Sequence, residues 1–319
     1  MKIKDLITIV YDVEVFRNCF TCAIYNTETK ELKVFEISER NNDLSEIVKL
    51  FTNTNYIFAG YNSIHFDNPI MNYIIMYENV LSSKSYYEVT QSIFNLAQII
   101  IQSDDNDFSK WKDFKYANCF ESIDLLTMYF SKALRVSLKE MQVTMMYKNV
   151  QEFDLDWNIP IHKDQINRLI SYNINDVMST TELLNKSLKD IDLRINIEKE
   201  YGINVLSKDG MKIGISVLEE LYSKETGLYK RSFQDLRTIY SVIPLKDCIL
   251  PCIQYKHKSL QDLLERMRSK VLVNTKSELK ESVVFSGNLY SIGTGGLHTK
   301  DSPSLIVPTE NEVIIDSDV

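Results

Sequence analysis

The chain opens on LITIVYDVEVF, where apolar and polar side chains alternate with the period of two that gives a strand two distinct faces. Residues about 6–15, 19–26 and 31–37 read as three strands. The breaks at Arg17-Asn18 and around Asn26-Thr27-Glu28-Thr29 have the composition of hairpin turns. The spacing becomes helical over about 43–53, with Asp43 in the capping position. It returns to a strand over about 55–61 and turns helical again near Asn68-Pro69, where proline suits a first turn. Three antiparallel strands followed by alternating helix and strand predict an α/β fold, a mixed sheet flanked by helices.

Further along, the pattern is less even. Residues about 79–117 are rich in Ser, Asn, Asp and Lys and have poor periodicity, so they read as an insertion. A strand resumes in FESIDLL. Helices are expected from Ser137 to Tyr147 and from about His162 to Leu188, and the stretch from about 189 to 275 reads as mostly helical. Near the end, GNLYSIGTGGLHTKDSP concentrates glycine in a chain with only 9 of them, and the last predicted strand is EVIIDSDV. No internal repeat of 20–50 residues is visible.

Composition narrows the setting. A chain of 319 residues predicts two domains, and 44% hydrophobic residues suffice for a buried core. No run approaches the roughly 18 apolar residues of a membrane span. MKIKDLITIVYD turns acidic too soon for a signal peptide, and five cysteines fit a reducing compartment better than a disulfide framework. A soluble intracellular protein is expected, not secreted and not bound to membrane. The net charge of −8 argues against broad adhesion to duplex nucleic acid while leaving room for a locally held strand.

Chemistry gathers in three short blocks. Asp12 and Glu14 lie two apart on a predicted strand, so both carboxylates share a face. Asp67, in YNSIHFDNPIM, falls where an apolar strand ends and a helix begins. Tyr172 and Asp176, in YNINDVMST, are spaced i, i+4 on a helical pattern and also share a face. Four carboxylates converging from different elements suit hard divalent cations. Two such ions about 3.5–4 Å apart can activate water and stabilise the departing oxygen in phosphodiester cleavage. A tyrosine one turn before the helical aspartate is placed to orient that water. No phosphate-binding glycine loop or serine nucleophile signature accompanies them.

These blocks resemble the Exo I (D-x-E), Exo II (N-x-x-x-F-D, Asn62 to Asp67) and Exo III (Y-x-x-x-D) motifs of DEDDy exonucleases. More closely, they resemble the proofreading domain of bacteriophage family B DNA polymerases. The resemblance covers residues 1 to about 190 and implies a ribonuclease H-like fold and 3′→5′ removal of nucleotides from single-stranded or frayed DNA. It also implies two Mg²⁺ or Mn²⁺ ions. Asp12, Glu14 and Asp176 would hold the ion carrying the attacking water, Asp12 would bridge to the second with support from Asp67, and Tyr172 would align the water.

For the DNA, the resemblance points to Asn62 and Phe66 at the 3′-terminal nucleotide, although Phe66 also fits a plain core position. Ser137 and Leu138 begin an S/T-L-x-x-h pattern that meets single-stranded DNA in protein-primed relatives. Lys148 falls in a region where relatives place a lysine near the scissile phosphate, and it equally fits an ordinary surface position.

Residues 191–319 would form a helical linker leading to an incomplete palm. Asp318 in VIIDSDV stands where the palm's first metal-binding aspartate would. YSIGTGGLHT resembles the linker with its Y-x-G-G/A segment, although Tyr290 precedes Gly295 by five residues, and an ordinary loop is the other reading. Polymerase activity is not expected from this chain alone. The implied setting is the host cytoplasm, with the remaining polymerase polypeptide as a partner. Two alternatives stay open: a stand-alone exonuclease acting on RNA, and a non-catalytic half of a split polymerase. Cys19 and Cys22 form a C-x-x-C whose side chains would face opposite ways on a strand, so core cysteines are expected there.

Overall fold

Strands form where β-branched and aromatic residues are densest. In the computed structural model, which describes residues 7–103, 109–131, 136–236, 238, 240–273, 279–293, 296–300, 307–310 and 312–313, these are β1 (Ile7–Phe16), β2 (Cys19–Asn26) and β3 (Leu32–Ile37). They pair antiparallel, as the turn residues predict. β4 (Tyr56–Gly60) and β5 (Ser122–Asp124) then add in parallel, giving a mixed five-stranded sheet in the order β3-β2-β1-β4-β5. Parallel neighbours need crossover connections. Helix α1 (Leu44–Phe51) supplies the first of these. The second is made by α2 (Asp67–Met76), α3 (Glu78–Leu81), α4 (Tyr86–Gln102) and α5 (Lys112–Tyr116).

The pleat divides β1 cleanly. Ile9, Tyr11, Val13 and Val15 face one core, shared with Phe20 and Cys22 of β2 and with Ile47, Ile70 and Ile93 from α1, α2 and α4. An aromatic cluster centres it: Phe51 stacks on Phe58 at 4.1 Å, with Tyr11 and Phe120 edge-on to Phe51 at 5.2 and 5.1 Å. Val10 turns to the opposite face, where a second core takes Ala23, Ala59 and Ile123 together with Val177, Leu183 and Leu184. Those last three belong to the long helix α8 (Ile166–Lys186), reached through α6 (Leu125–Tyr129) and α7 (Leu138–Thr144). The chain runs on from α8 into α9 (Leu188–Tyr201) and α10 (Gly210–Thr226).

Several expectations need correction. The stretch 79–117 is no insertion: α4 starts with a complete Ser85–Glu88 capping box and buries Val89, Ile93, Leu96, Ala97 and Ile100 in the first core. Asp43 precedes α1 without capping it, because its carboxylate accepts from the Glu36 backbone N–H (2.9 Å) and Asn41 Nδ2 (2.7 Å) instead. A boundary near 190 would split what packs together. The first compact unit runs through Lys230, so α9 and α10 belong to it, and the second begins at Arg231.

In the second unit, β6 (Ile243–Pro244) pairs with β7 (Val271–Leu272), and between them lie α11 (Leu245–Cys248) and α12 (Lys258–Arg268). Where it is described, the Gly-rich run contains strands: β8 (Glu281–Phe285), β9 (Asn288–Gly293) and β10 (Gly296–Thr299) form an antiparallel meander. The β8–β9 turn has Ser286 and Gly287 both at positive φ (50° and 85°), as a tight two-residue hairpin requires. Gly295, Asp318 and the end of the last predicted strand lie outside the described residues. Among the described residues, no helix is long and apolar enough to cross a membrane.

If α4 is a true core element, Ile93→Ala removes a fully buried side chain and should cost about 2–5 kcal/mol in urea unfolding. A loss below about 0.5 kcal/mol, typical of surface sites, would return the segment to the status of an insertion.

Candidate metal centre

The face of β1 that carries Val10 also carries Asp12 and Glu14, opposite Ala23 and Thr21 of β2. Helix α8 lies across these strands with a buried polar stripe, Asn173, Asp176 and Thr180, spaced by three and four residues. One carboxylate oxygen each from Asp12, Glu14 and Asp176 lies within 4.8 Å of the other two. Two residues near the start of the chain and one far along it thus meet at one point.

Asp67 arrives from the opposite side of β1. The ladder between β1 and β4 runs only as far as Val10 and Ala59, so the β1 edge beyond it lacks a strand partner there. Asp67, buried as the first residue of α2, fills part of that gap: the Val13 backbone N–H donates to its Oδ1 at 3.2 Å. The approach to α2 is tight. A Cβ on Gly60 would sit 2.7 Å from the Ser63 Cβ and 3.3 Å from the Tyr11 ring, which only glycine avoids. Asn62 then adopts a left-handed conformation (φ 59°). The turn is held by Asp124, fully buried at the end of β5, which accepts from the backbone N–H groups of Asn62 and Ile64, each at 3.0 Å.

Around the carboxylates the polar groups are closely paired. Asn173 donates to Asp12 Oδ2 at 2.7 Å and accepts from Thr21 Oγ1 at 3.1 Å, fixing the side chain of Asp12 to β2. Asp176 Oδ1 accepts from Lys139 Nζ at 2.5 Å and Gln142 Nε2 at 3.2 Å, both from α7. The same Lys139 ammonium lies 4.4 Å from the centre of the Tyr172 ring. Tyr172 is partly buried against Phe153 (5.1 Å between ring centres), and its phenol is within electrostatic reach of Asp176.

Crowding sets the electrostatics. Burial, and then the mutual repulsion of Asp176 and Asp67, push Glu14 up to about 8, with Lys139 pulling the other way. Burial and the neighbouring Asp67, Glu14 and Asp176 raise Asp12 well above the usual carboxylate range, opposed by Asn173. Asp67 is pushed up to about 7 by burial against the opposing pull of backbone N–H groups, and Asp124 to about 6 for the same reasons. Burial raises the Tyr172 phenol strongly, with Asp176 the next cause, so it stays protonated across the neutral range. Asp12 and Glu14 keep some contact with solvent, which tempers their shifts without reversing them.

Of the expected site residues, Asp12, Glu14, Asp176 and Tyr172 come together, and Asp67 sits within electrostatic reach of Asp12 and Glu14. The expected DNA contacts are more scattered. Asn62 lies in the turn before α2, and Phe66 is half-buried at the edge of the first core. Ser137 caps α7: its hydroxyl accepts from the Glu140 N–H at 3.2 Å while Glu140 accepts from the Ser137 N–H at 2.6 Å. Leu138 packs on the second core, and Lys148 is exposed beyond α7. Cys19 and Cys22 are both buried, in different cores.

Sequence reasoning did not single out Lys139, Gln142, Asn173 or Asp124 as site residues. Asn173 had a usable signal, being three residues before Asp176 and so on the same helical face. Lys139 and Gln142 had none, since only tertiary packing brings α7 to α8. No family model matches the chain, and no curated protein or solved structure matches it either.

The raised carboxylates link stability to pH. Folded protein without metal holds protons on Glu14 and Asp67 that the unfolded chain releases near the ordinary carboxylate range. The folded state therefore binds more protons than the unfolded one over that interval, and stability falls as pH rises from about 5 toward about 8. EDTA-treated protein should lose on the order of 10 °C or more of Tm over that range, at roughly 1.4 kcal/mol per pKa unit and about 2–4 °C per kcal/mol. Excess Mg²⁺ or Mn²⁺ should flatten the slope. A metal-free Tm that climbs with pH would mean that the carboxylates are already ionised in the fold.

Proposed function

We propose that the chain is a divalent-metal-dependent 3′→5′ exonuclease that removes nucleotides from single-stranded or frayed DNA ends. In this reading it is the proofreading part of a bacteriophage family B DNA polymerase. The observation that carries it is the meeting of Asp12, Glu14 and Asp176 oxygens within 4.8 Å, with Asp67 and the Tyr172 phenol within electrostatic reach. The sheet order, three antiparallel strands followed by two parallel ones, is compatible with a ribonuclease H-like fold. The setting would be the host cytoplasm, with a palm-containing polypeptide as partner.

The donor set fits the proposed ions. It is all oxygen and rich in negative charge, as Mg²⁺ and Mn²⁺ prefer, and its repulsion is offset in metal-free protein by Lys139 and hydrogen-bond donors. Asp12, Glu14 and Asp176 would hold one ion, and Asp12 with Asp67 a second. Bound divalent ions supply the Lewis acidity and charge neutralisation that phosphodiester hydrolysis needs.

The chain's own groups supply orientation. Asn173 takes one oxygen of Asp12 and leaves the other for ligation. Tyr172 stays protonated, so it acts as a hydrogen-bonding group that aligns a water rather than as a general base. Its ring is wedged between Phe153 and the Lys139 ammonium, which limits the arc of the phenol oxygen. Net negative charge argues for capture of a strand end by local contacts such as Asn62 and Phe66 rather than by a broad basic face.

A 5′-labelled single-stranded DNA oligonucleotide should yield a ladder shortening from its 3′ end with Mg²⁺ or Mn²⁺ and none with EDTA. Asp12→Ala and Asp67→Ala should lower the rate by at least about 10³-fold, and Tyr172→Phe by roughly 10²-fold, with the fold intact by circular dichroism. Unchanged activity in the Asp12→Ala/Asp67→Ala double variant defeats the proposal. A matched RNA oligonucleotide degraded faster than DNA would move it to an RNA exonuclease instead.

A further inference from the structure

Lys139 reaches the carboxylates from α7, an element that carries none of them. Its Nζ meets Asp176 Oδ1 at 2.5 Å, lies over the Tyr172 ring, and exerts the main attraction opposing the rise of the Glu14 carboxyl. Asp176, Tyr172, Glu14 and Gln142 are the groups that face it. The backbone that carries it is firmly held. The Ser137–Glu140 capping box starts α7, and Gln142, one turn on, is fully buried and donates both to Asp176 and to Ser179 Oγ at 2.7 Å. The ammonium itself is not so confined. The Lys139 side chain is 23% exposed against 7% for Asp176, and its four-carbon stem offers an open route to solvent.

We infer that Lys139 is a tethered counter-ion that neutralises Asp176 in the metal-free protein and opposes the binding of a divalent ion beside it. The inference rests on the metal-site reading above. Lys139 and Gln142 take only Oδ1 of Asp176, so an ion could still use its other oxygen, but an ammonium held at Oδ1 repels a divalent cation on the same carboxylate. Lys139 therefore does two opposing things. It stabilises the crowded carboxylates when no metal is present, and it weakens metal binding by competing for Asp176. A residue with this role sets the concentration of divalent ion at which the site fills. Lys139 acts through Asp176 and is thus a positioning residue.

The test is isothermal titration of EDTA-stripped protein with Mn²⁺, alongside thermal unfolding without metal, for wild type, Lys139→Met, Lys139→Arg and Lys189→Met. Lys139→Met is expected to bind Mn²⁺ roughly tenfold more tightly, and to unfold on the order of 5 °C lower without metal. Lys139→Arg keeps the charge and should stay near wild type in both. Lys189 is an exposed lysine on α9, so Lys189→Met controls for the loss of one positive charge from the whole protein and should change neither. Equal or weaker Mn²⁺ binding by Lys139→Met overturns the inference while leaving the metal site standing. Wild type that binds no Mn²⁺ overturns both. Tighter binding in Lys189→Met as well would assign the effect to net charge and overturn the specific role of Lys139.

Discussion

Repulsion among buried carboxylates is the constraint around which the first unit is arranged. Moving an ionised carboxylate from water into a protein interior costs several kcal/mol, and placing three oxygens of like charge within 4.8 Å adds to that. Nothing about this arrangement favours folding by itself. It has to be offset by groups that accept the geometry for other reasons. The Val13 N–H faces Asp67 because β4 stops short, Asn173 bridges Asp12 to Thr21, and Lys139 and Gln142 meet Asp176 because α7 packs on α8.

The opposite face of the sheet supplies the stability that this face gives up. There, Tyr11, Phe51, Phe58 and Phe120 form a packed aromatic cluster, and α4 seals it with Val89, Ile93 and Ala97. Because residues alternate along β1, every residue of the carboxylate-bearing face is locked in register by the residue before or after it in that core. A slip of β1 by one position would put Tyr11 and Val13 among the carboxylates and Asp12 in the aromatic cluster. The register of the acids is thus set by the apolar residues between them.

This explains what was legible in the sequence. Features governed by local periodicity were: the three opening strands, β4, the helical spacing of Tyr172 and Asp176, and the shared face of Asp12 and Glu14. Asp67 was legible from its place at a strand end. What escaped was governed by tertiary contact. The helical spacing of α4 was masked by its polar flanks, and the burial of its apolar stripe depends on a sheet formed elsewhere in the chain. Lys139 and Gln142 matter only because α7 docks on α8. The described part of the Gly-rich run contains strands because a Ser286-Gly287 turn closes a hairpin, although glycine alone favours a loop.

Rigidity is unevenly distributed across the centre, and the distribution has a consequence. Asp12 and Glu14 stand mid-strand, Asp176 mid-helix, and Asp67 on a turn fixed by the buried Asp124, so none of the four can move far without disturbing a core. Tyr172 and Lys139 are different, for both are partly exposed and touch the carboxylates only through their tips. A site with fixed ligands and adjustable neighbours keeps its coordination geometry constant while the groups beside it respond to what is bound. The four carboxylates are the fixed part of this centre, and the tyrosine and lysine are the part that can adjust.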